Sequence, residues 1–132
     1  MTQEEKQLLL KDLCARIPYD TLVQYNPGAY GKPEKCLLCG IDGEDIYLNV
    51  DSDPFEINDI RPYLRPMSSM TKEEYEDLCN SCTWLWFKDD LRTVMHGDHK
   101  CYDWLNAHHF DYRGLIEKGL ALEAPEGMYK IK

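Results

Sequence analysis

Apolar positions near the start of the chain recur every three or four residues, as in an amphipathic helix. Thr2 and Glu5 have the spacing of a capping box, in which each side chain bonds the backbone of the other at a helix N-terminus. Pro18 ends the pattern, because proline removes a backbone donor inside a helix. We therefore predict a helix over residues 3–17. Its apolar stripe consists of Leu9, Leu10, Leu13, Cys14 and Ile17.

After Pro18 the apolar period changes to two, which is typical of β-strands. The pattern predicts strands over 21–25, 35–41, 46–50 and 55–57, with a hairpin turn at Asp42-Gly43 between the second and the third. Four short strands in succession predict an antiparallel meander. Such a meander is stable when it curls into a small SH3-like barrel or when helices cover it.

The second half of the chain returns to helical spacing. Thr71 and Glu74 form another capping box, and the apolar residues that follow predict a helix over 72–87. Helices are also predicted over 99–109 and 113–118. Residues 120–122 are predicted to form a final strand.

Between the two halves, prolines at positions 62 and 66 exclude a regular helix over 61–66, which we predict to be a 3₁₀-like connector. The predicted fold class is α+β, with an N-terminal helix, a four-stranded antiparallel meander and C-terminal helices packed on it. We expect one domain over residues 1–132. Within it, residues 1–66 form the helix and meander half, and residues 67–132 form the helical half.

Charge restricts the class of partner. The 132 residues include 24 acidic and 15 basic side chains, for a net charge of -9. Phosphate backbones repel such a chain, so direct nucleic-acid binding is not expected. The N-terminus lacks the basic and apolar regions of an export signal, and no apolar run has membrane-spanning length. We therefore predict a cytoplasmic protein whose six cysteines are reduced and which does not bind a membrane.

One group of cysteines and histidines has spacing close to that of a zinc site. The alternative is that the cysteines pack in the core, because Cys79 and Cys82 lie on the predicted apolar stripe of a helix. Zinc is therefore a candidate cofactor and not a required one. The candidate ligands are Cys79, Cys82, His96, His99 and Cys101.

Two other segments suggest ligand sites less directly. Cys36 and Cys39 have the spacing of a zinc knuckle, but positions three apart on a strand face opposite sides. Residues 42–59 hold seven carboxylates and no Lys or Arg, yet Glu56 and Pro62 occupy the positions where an EF-hand needs glycine and glutamate. We interpret these acids as solvated turn and edge residues.

No sequence motif of catalysis is present. His99 and Cys101 supply the atoms of a nucleophile and a base, but no serine-nucleophile, phosphate-loop or metalloprotease motif accompanies them. We therefore predict a protein that is not an enzyme and has no catalytic residues.

Aromatic residues concentrate in the second half, and a single helix face cannot bury all of Trp84, Trp86 and Phe87. This surface either meets another layer of the same chain or binds a protein partner, which includes a second copy. The neighbouring connector contributes Tyr63 and Met67 to the candidate interface.

Two longer motifs resemble those of a group of small uncharacterised proteins from gut anaerobes, which occur in phage-like or mobile-element contexts. The motifs are RPYLRPMSSMT at 61–71 and WLNAHHFDYRGLIEKGLA at 104–121, and residues 11–19 are similar too. The resemblance implies no activity, and it suggests an accessory role. The leading hypothesis is a non-enzymatic protein-interaction module. The alternatives are a zinc-stabilised structural domain and an acidic nucleic-acid mimic that inhibits a host protein.

Overall fold

The N-terminal half begins with a helix that is capped as its sequence predicts. A computed structural model describes residues 1–26, 31–50, 52–82, 85–88 and 93–129, with side chains left undescribed over 85–88 and 93–97. Helix α1 spans Gln3–Arg16, and Thr2 and Glu5 form both hydrogen bonds of the capping box. A 3₁₀ turn, Ile17–Tyr19, follows at the proline.

The meander has the predicted order. Its strands are β1 (Leu22–Tyr25), β2 (Glu34–Asp42), β3 (Asp45–Leu48) and β4 (Phe55–Glu56), each antiparallel to the one before it. A short 3₁₀ turn, Ile57–Asp59, leads from β4 into the next strand.

The sheet continues past the meander, and this extension differs from the prediction. Residues 60–66 form strand β5 (Ile60–Pro66) beside β1, where we expected a 3₁₀-like connector. Two short strands pair in parallel with β5, namely β8 (Phe110–Asp111) and β9 (Leu122–Glu123). Among the described strands the order is β4-β3-β2-β1-β5-β8, so the sheet is open and no SH3-like barrel closes.

Backbone alternation explains how β5 tolerates two prolines. Successive residues of a strand direct their backbone groups to opposite edges. The carbonyl of Asp59 accepts from the N–H of Asn26 at 2.9 Å, so odd-numbered residues face β1. At the same edge, the N–H of Arg65 donates to the carbonyl of His109 at 2.7 Å.

The prolines are both even-numbered. Pro62 and Pro66 therefore present their missing N–H to the other edge, where the carbonyl of Leu64 accepts from Ala124 at 2.8 Å. The odd-numbered residues, whose backbone groups point towards β1 and β8, keep their N–H donors. The prolines exclude a helix but leave one edge of a strand intact.

In the helical half, α2 is shorter than predicted. It spans Lys72–Ser81, and Thr71 and Glu74 form its capping box. Residues 85–87, expected to be helical, lie in strand β6 (Leu85–Lys88), which pairs with β7 (Thr93–Gly97) in a separate two-stranded sheet. Helix α3 spans His99–Ala107, close to its prediction.

The predicted helix over 113–118 is a set of turns. The carboxylate of Asp111 accepts from the N–H groups of Leu115 and Ile116 at 2.8 and 2.9 Å. Gly119, at φ 73°, then reverses the chain. These bonds cap a single turn, and the glycine ends it before a helix can extend.

Two apolar clusters lie in these layers. The first lies between α1 and the sheet and includes Leu13, Val23 and Ile46. The second lies between α2, α3 and β8 and includes Leu78, Leu105 and Phe110.

A buried ionic group connects the elements of both clusters. Asp12 accepts from Arg16 through both carboxylate oxygens, at 2.8 and 3.1 Å, and from Arg113 at 3.0 Å. Arg16 also donates to the carbonyl of Phe110 at 2.7 Å. Asp12 and Arg16 are fully buried, so these bonds replace part of the water that both charges lose on folding, and Nη1 of Arg16 is left buried without a hydrogen-bond partner.

Candidate binding site

The predicted metal ligands are only partly brought together. Cys82 follows the last residue of α2 and packs against the second apolar cluster, which includes Cys101 of α3, whereas Cys79 and His99 are exposed. The side chain of His96, on β7, lies outside the described residues. Among the side chains that the structure describes, no three metal-binding groups gather around one point. The zinc site stays a prediction.

The environment of Cys101 differs from that of an activated nucleophile. Burial, together with the neighbouring Cys82 thiol, raises the pKa of Cys101 to about 12. Nucleophilic cysteines have a lowered pKa and access to substrate. Cys101 is fully buried and His99 is exposed, so nothing here indicates the catalytic pair considered from sequence.

The cysteines of the candidate zinc knuckle lie on β2 and point apart. Cys36 is buried in the first cluster and Cys39 is exposed, as the alternation of a strand predicts.

The predicted interface residues fall into three groups. Trp84 lies outside the described residues, as do the side chains of Trp86 and Phe87 on β6. Met67 packs in the second cluster and is 5% exposed, so its side chain offers little contact surface. Tyr63 is half-buried on β5, and its hydroxyl accepts from Gln24 at 3.4 Å.

Four segments form a groove of about 1020 Å³. These segments are the end of β5, the first turns of α2, the end of α3 and the C-terminal stretch over 123–129. The apolar part of its lining includes Pro66, Trp104, Ala124 and Pro125. We call this cavity the α2–α3 groove.

A column of stacked groups supports the groove. The guanidinium of Arg65 lies 4.2 Å from the ring centre of Phe110, whose ring is parallel to that of Trp104 at 5.9 Å. The ring of His108 also stacks on Trp104, with ring centres 3.8 Å apart. The indole N–H of Trp104 donates to Asp77 at 2.8 Å, which attaches the column to α2.

An ion pair holds the column against the start of α2. Arg65 donates to both carboxylate oxygens of Glu74, at 2.6 and 2.7 Å, and Glu74 also accepts from the N–H of Thr71. Burial alone would raise the pKa of Glu74, but the bonds from Arg65 and Thr71 outweigh it and lower the pKa below its ordinary value. Glu74 is thus a fixed anion that orients both β5 and α2.

The remaining charged side chains of the groove are mostly acidic. Glu73 and Asp77 lie on α2, and Glu123 and Glu126 lie on the C-terminal stretch, all four of them exposed. Arg65 lines the groove as well, but Glu74 neutralises it. The groove therefore carries exposed carboxylates on α2 and on the C-terminal stretch, together with an apolar and aromatic lining.

A second cavity, of about 450 Å³, shares Arg65, His108 and Tyr129 with the groove. Asp20 and His109 both line it, and they are the described non-glycine residues with positive φ, at 54° and 63°. His109 stacks on Tyr129 with ring centres 3.6 Å apart. Burial, reinforced by Arg16, lowers the pKa of His109 to about 4, so the imidazole is neutral at pH 7.

Sequence reasoning did not assemble this groove. In the sequence, Trp104 is only the first residue of the motif at 104–121, and Glu74 is identified only as half of a capping box. Glu123 and Glu126 carried no local pattern that could place them opposite α2. The sequence shows that the second half is rich in aromatic and acidic residues. It does not show which of these residues lie together in the fold.

No family model, curated protein or solved structure matches this chain. The resemblance to small proteins of gut anaerobes and their mobile elements therefore stays a prediction. Within the described part of the chain, the helices are all too short or too polar to cross a bilayer.

Proposed function

We propose that this protein is a non-enzymatic interaction module, and that its α2–α3 groove binds a cationic segment of a protein partner. The observation that carries the proposal is the set of exposed carboxylates that α2 and the C-terminal stretch contribute to one cavity with an apolar, aromatic lining. Carboxylates attract Lys and Arg side chains, and the lining can bury their methylene stems.

The exposed charges of the groove determine the charge that a partner should carry. Glu73, Glu123 and Glu126 are exposed and have no counter-ion among the described ion pairs, whereas Arg65 is held by Glu74. A second copy of this chain also has a net charge of -9, so the field of the whole protein favours a basic partner over self-association. The same field disfavours nucleic acid.

The groove is held in shape before any partner arrives. The Arg65–Glu74 pair and the Trp104–Asp77 bond connect β5, α2 and α3 through side chains whose geometry is already set. A site that needs little reordering keeps more of its contact energy as affinity.

The test uses a labelled Lys- and Arg-rich peptide of about eight residues, titrated into the ¹⁵N-labelled protein and followed by NMR. We expect shifts at the Trp104 indole and at the backbone of Gly127, with affinity falling as salt increases. An acidic peptide of equal length should give none of these shifts.

Charge reversal separates the groove from the general charge of the protein. The double variant Glu73→Lys, Glu126→Lys should weaken binding about tenfold, since each exposed pair contributes up to about 1 kcal/mol. The matched control is Asp42→Lys, Glu44→Lys, which changes net charge equally at the β2–β3 hairpin. If both variants weaken binding equally, or the peptide does not bind, the proposal is wrong.

A further inference from the structure

The second cavity adjoins the α2–α3 groove, because Arg65, His108 and Tyr129 line both. Its volume is about 450 Å³, within the range of pockets that hold small organic ligands, so it has room for any single amino-acid side chain. A segment bound in the groove therefore lies beside a second space that can take one of its side chains.

The lining of this cavity is mainly apolar and aromatic. Leu22 and Leu37 are cross-strand partners on β1 and β2, and both are half-buried. Met128 adds aliphatic surface from the C-terminal stretch, and the rings of Tyr19 and Tyr129 add aromatic surface. Such a lining buries carbon-rich side chains, and its rings favour offset stacking or edge contacts with another aromatic ring.

A cationic side chain does not suit this cavity. His109 lines it and reports the local environment. Burial first, and then repulsion from Arg16, His108 and Arg65, lower the pKa of that imidazole to about 4. The same two effects oppose a Lys or Arg side chain placed beside it, because both disfavour a positive charge.

The guanidinium groups named above are not free to pair with an anionic side chain either. Arg16 is fully buried and bonded to Asp12, and Arg65 is bonded to Glu74. Asp20, which also lines the cavity, is exposed and repels a carboxylate. A neutral side chain therefore fits the charges around the cavity better than an ionised one.

The residues that the two cavities share are held in place by their own contacts. His108 stacks on Trp104, and its Nδ1 lies 2.9 Å from the carbonyl oxygen of Trp104. Tyr129 stacks on His109. The boundary between the cavities thus exists before a ligand binds, so little contact energy is lost to reordering.

We propose that the second cavity receives a neutral aromatic side chain, tryptophan or tyrosine, from the same cationic segment that binds the α2–α3 groove. This inference rests on the proposed function and specifies the partner further, as a segment with basic residues and one aromatic anchor. Aromatic side chains that fill a preformed pocket are among the strongest contributors to the affinity of an interface.

The experiment moves one tryptophan along a Lys- and Arg-rich peptide and compares each version with alanine at the same position. Affinity for the full-length chain is measured by calorimetry. We expect tryptophan at one position to tighten binding about tenfold, with nuclear Overhauser contacts from its indole to the methyl groups of Leu37 and Met128. Equal affinities at every position, or indole contacts confined to the groove, would overturn the inference and leave the groove proposal standing.

Filling the cavity from within provides a second test. Ala107 is half-buried and lines the second cavity, so Ala107→Phe places a ring of the chain's own there. This variant should abolish the gain from tryptophan and leave the affinity for the alanine peptide unchanged. The matched control is Ala15→Phe on α1, at a half-buried position outside the described lining of both cavities, and it should keep the gain. A gain retained in Ala107→Phe, or lost equally in both variants, would contradict the inference.

The charge-reversal variant separates the two proposals. If Glu73→Lys, Glu126→Lys leaves the affinity of the tryptophan peptide unchanged, the groove does not recognise basic residues, and the aromatic pocket stands alone. If neither the tryptophan peptides nor the alanine peptides bind, both proposals are wrong.

Discussion

The hydroxyl of Tyr129 donates to the carbonyl oxygen of Tyr63 at 2.8 Å, at the point where β1 and β5 diverge. The same hydroxyl accepts from the N–H of Leu22 on β1 at 2.9 Å. One phenol from the C-terminal stretch thus bridges backbone groups of two adjacent strands. Burial raises the pKa of Tyr129 to about 12, so the hydroxyl remains a donor over the physiological range.

Removing that hydroxyl should weaken the junction while leaving the aromatic packing in place. In Tyr129→Phe, the N–H of Leu22 and the carbonyl of Tyr63 lose their partner, and the stack on His109 remains. We expect a loss of about 1–2 kcal/mol in the free energy of unfolding, measured by urea denaturation. Tyr47→Phe, on β3 away from this junction, should change it by less than about 0.5 kcal/mol. Equal effects of the two changes would contradict the bridging role.

The buried His109 predicts a dependence of stability on pH. The folded pKa of about 4 lies below the ordinary 6.5, so the unfolded chain binds the proton more readily. The contribution of neutral His109 is therefore complete above pH 6.5 and is lost as pH falls towards 4. Between pH 7 and 4.5 it should remove roughly 2–3 kcal/mol from the free energy of unfolding.

The matched variants for this prediction are His109→Asn and His99→Asn. Asparagine tolerates the positive φ of position 109 and does not titrate, so the first variant should flatten the pH profile. The exposed His99 should not affect its slope. The window ends at pH 4.5 because the lowered pKa of Glu74 adds a separate loss of stability below it. An unchanged slope in His109→Asn would refute the assignment.

Because only even-numbered residues of β5 point their N–H groups away from β1, a proline should be tolerated at an even position and should destabilise the protein at an odd one. Arg61 is paired with Gln24 and directs its N–H towards β1. In Arg61→Pro that donor is lost and its partner on β1 is left unsatisfied, so we expect about 1–3 kcal/mol of destabilisation. Arg61→Ala removes the same side chain but keeps the N–H, so it isolates the backbone effect. Thermal unfolding of both variants gives the comparison, and similar melting temperatures would argue against this edge assignment.

Local sequence patterns predicted the structure correctly where an element depends only on its own residues. The capping boxes at Thr2 and Thr71 form as predicted, and the alternation from Leu22 onwards gives the meander. Such features depend on residues within one turn or one strand. They do not require knowledge of the rest of the fold.

The prediction failed where an element depends on its neighbours. Two prolines correctly excluded a helix over 60–66, but the pairing that makes it a strand comes from β1, β8 and β9. The apolar residues after Ser81 suited a helix or a strand equally, and pairing with β7 decides for a strand over 85–88. Short apolar runs carry this ambiguity because length and periodicity cannot resolve it.

The candidate site was harder to predict for the same reason. The groove brings together the end of β5, α2, α3 and the stretch near Glu126, which are far apart in sequence. Its carboxylates come to line one cavity only after these segments pack. Of the ligands predicted from spacing, Cys101 belongs to the second apolar cluster and Cys82 packs against it.

The bond from Arg16 to the carbonyl of Phe110 has a consequence for folding kinetics. It joins residues 94 apart, and the bond of Tyr129 to Leu22 joins residues 107 apart. Neither can form until most of the chain has collapsed, so the entropy of closing long loops is lost before these contacts compensate for it. The protein should therefore fold more slowly than a helical bundle of equal length. Probes in the two apolar clusters should report the same rate constant.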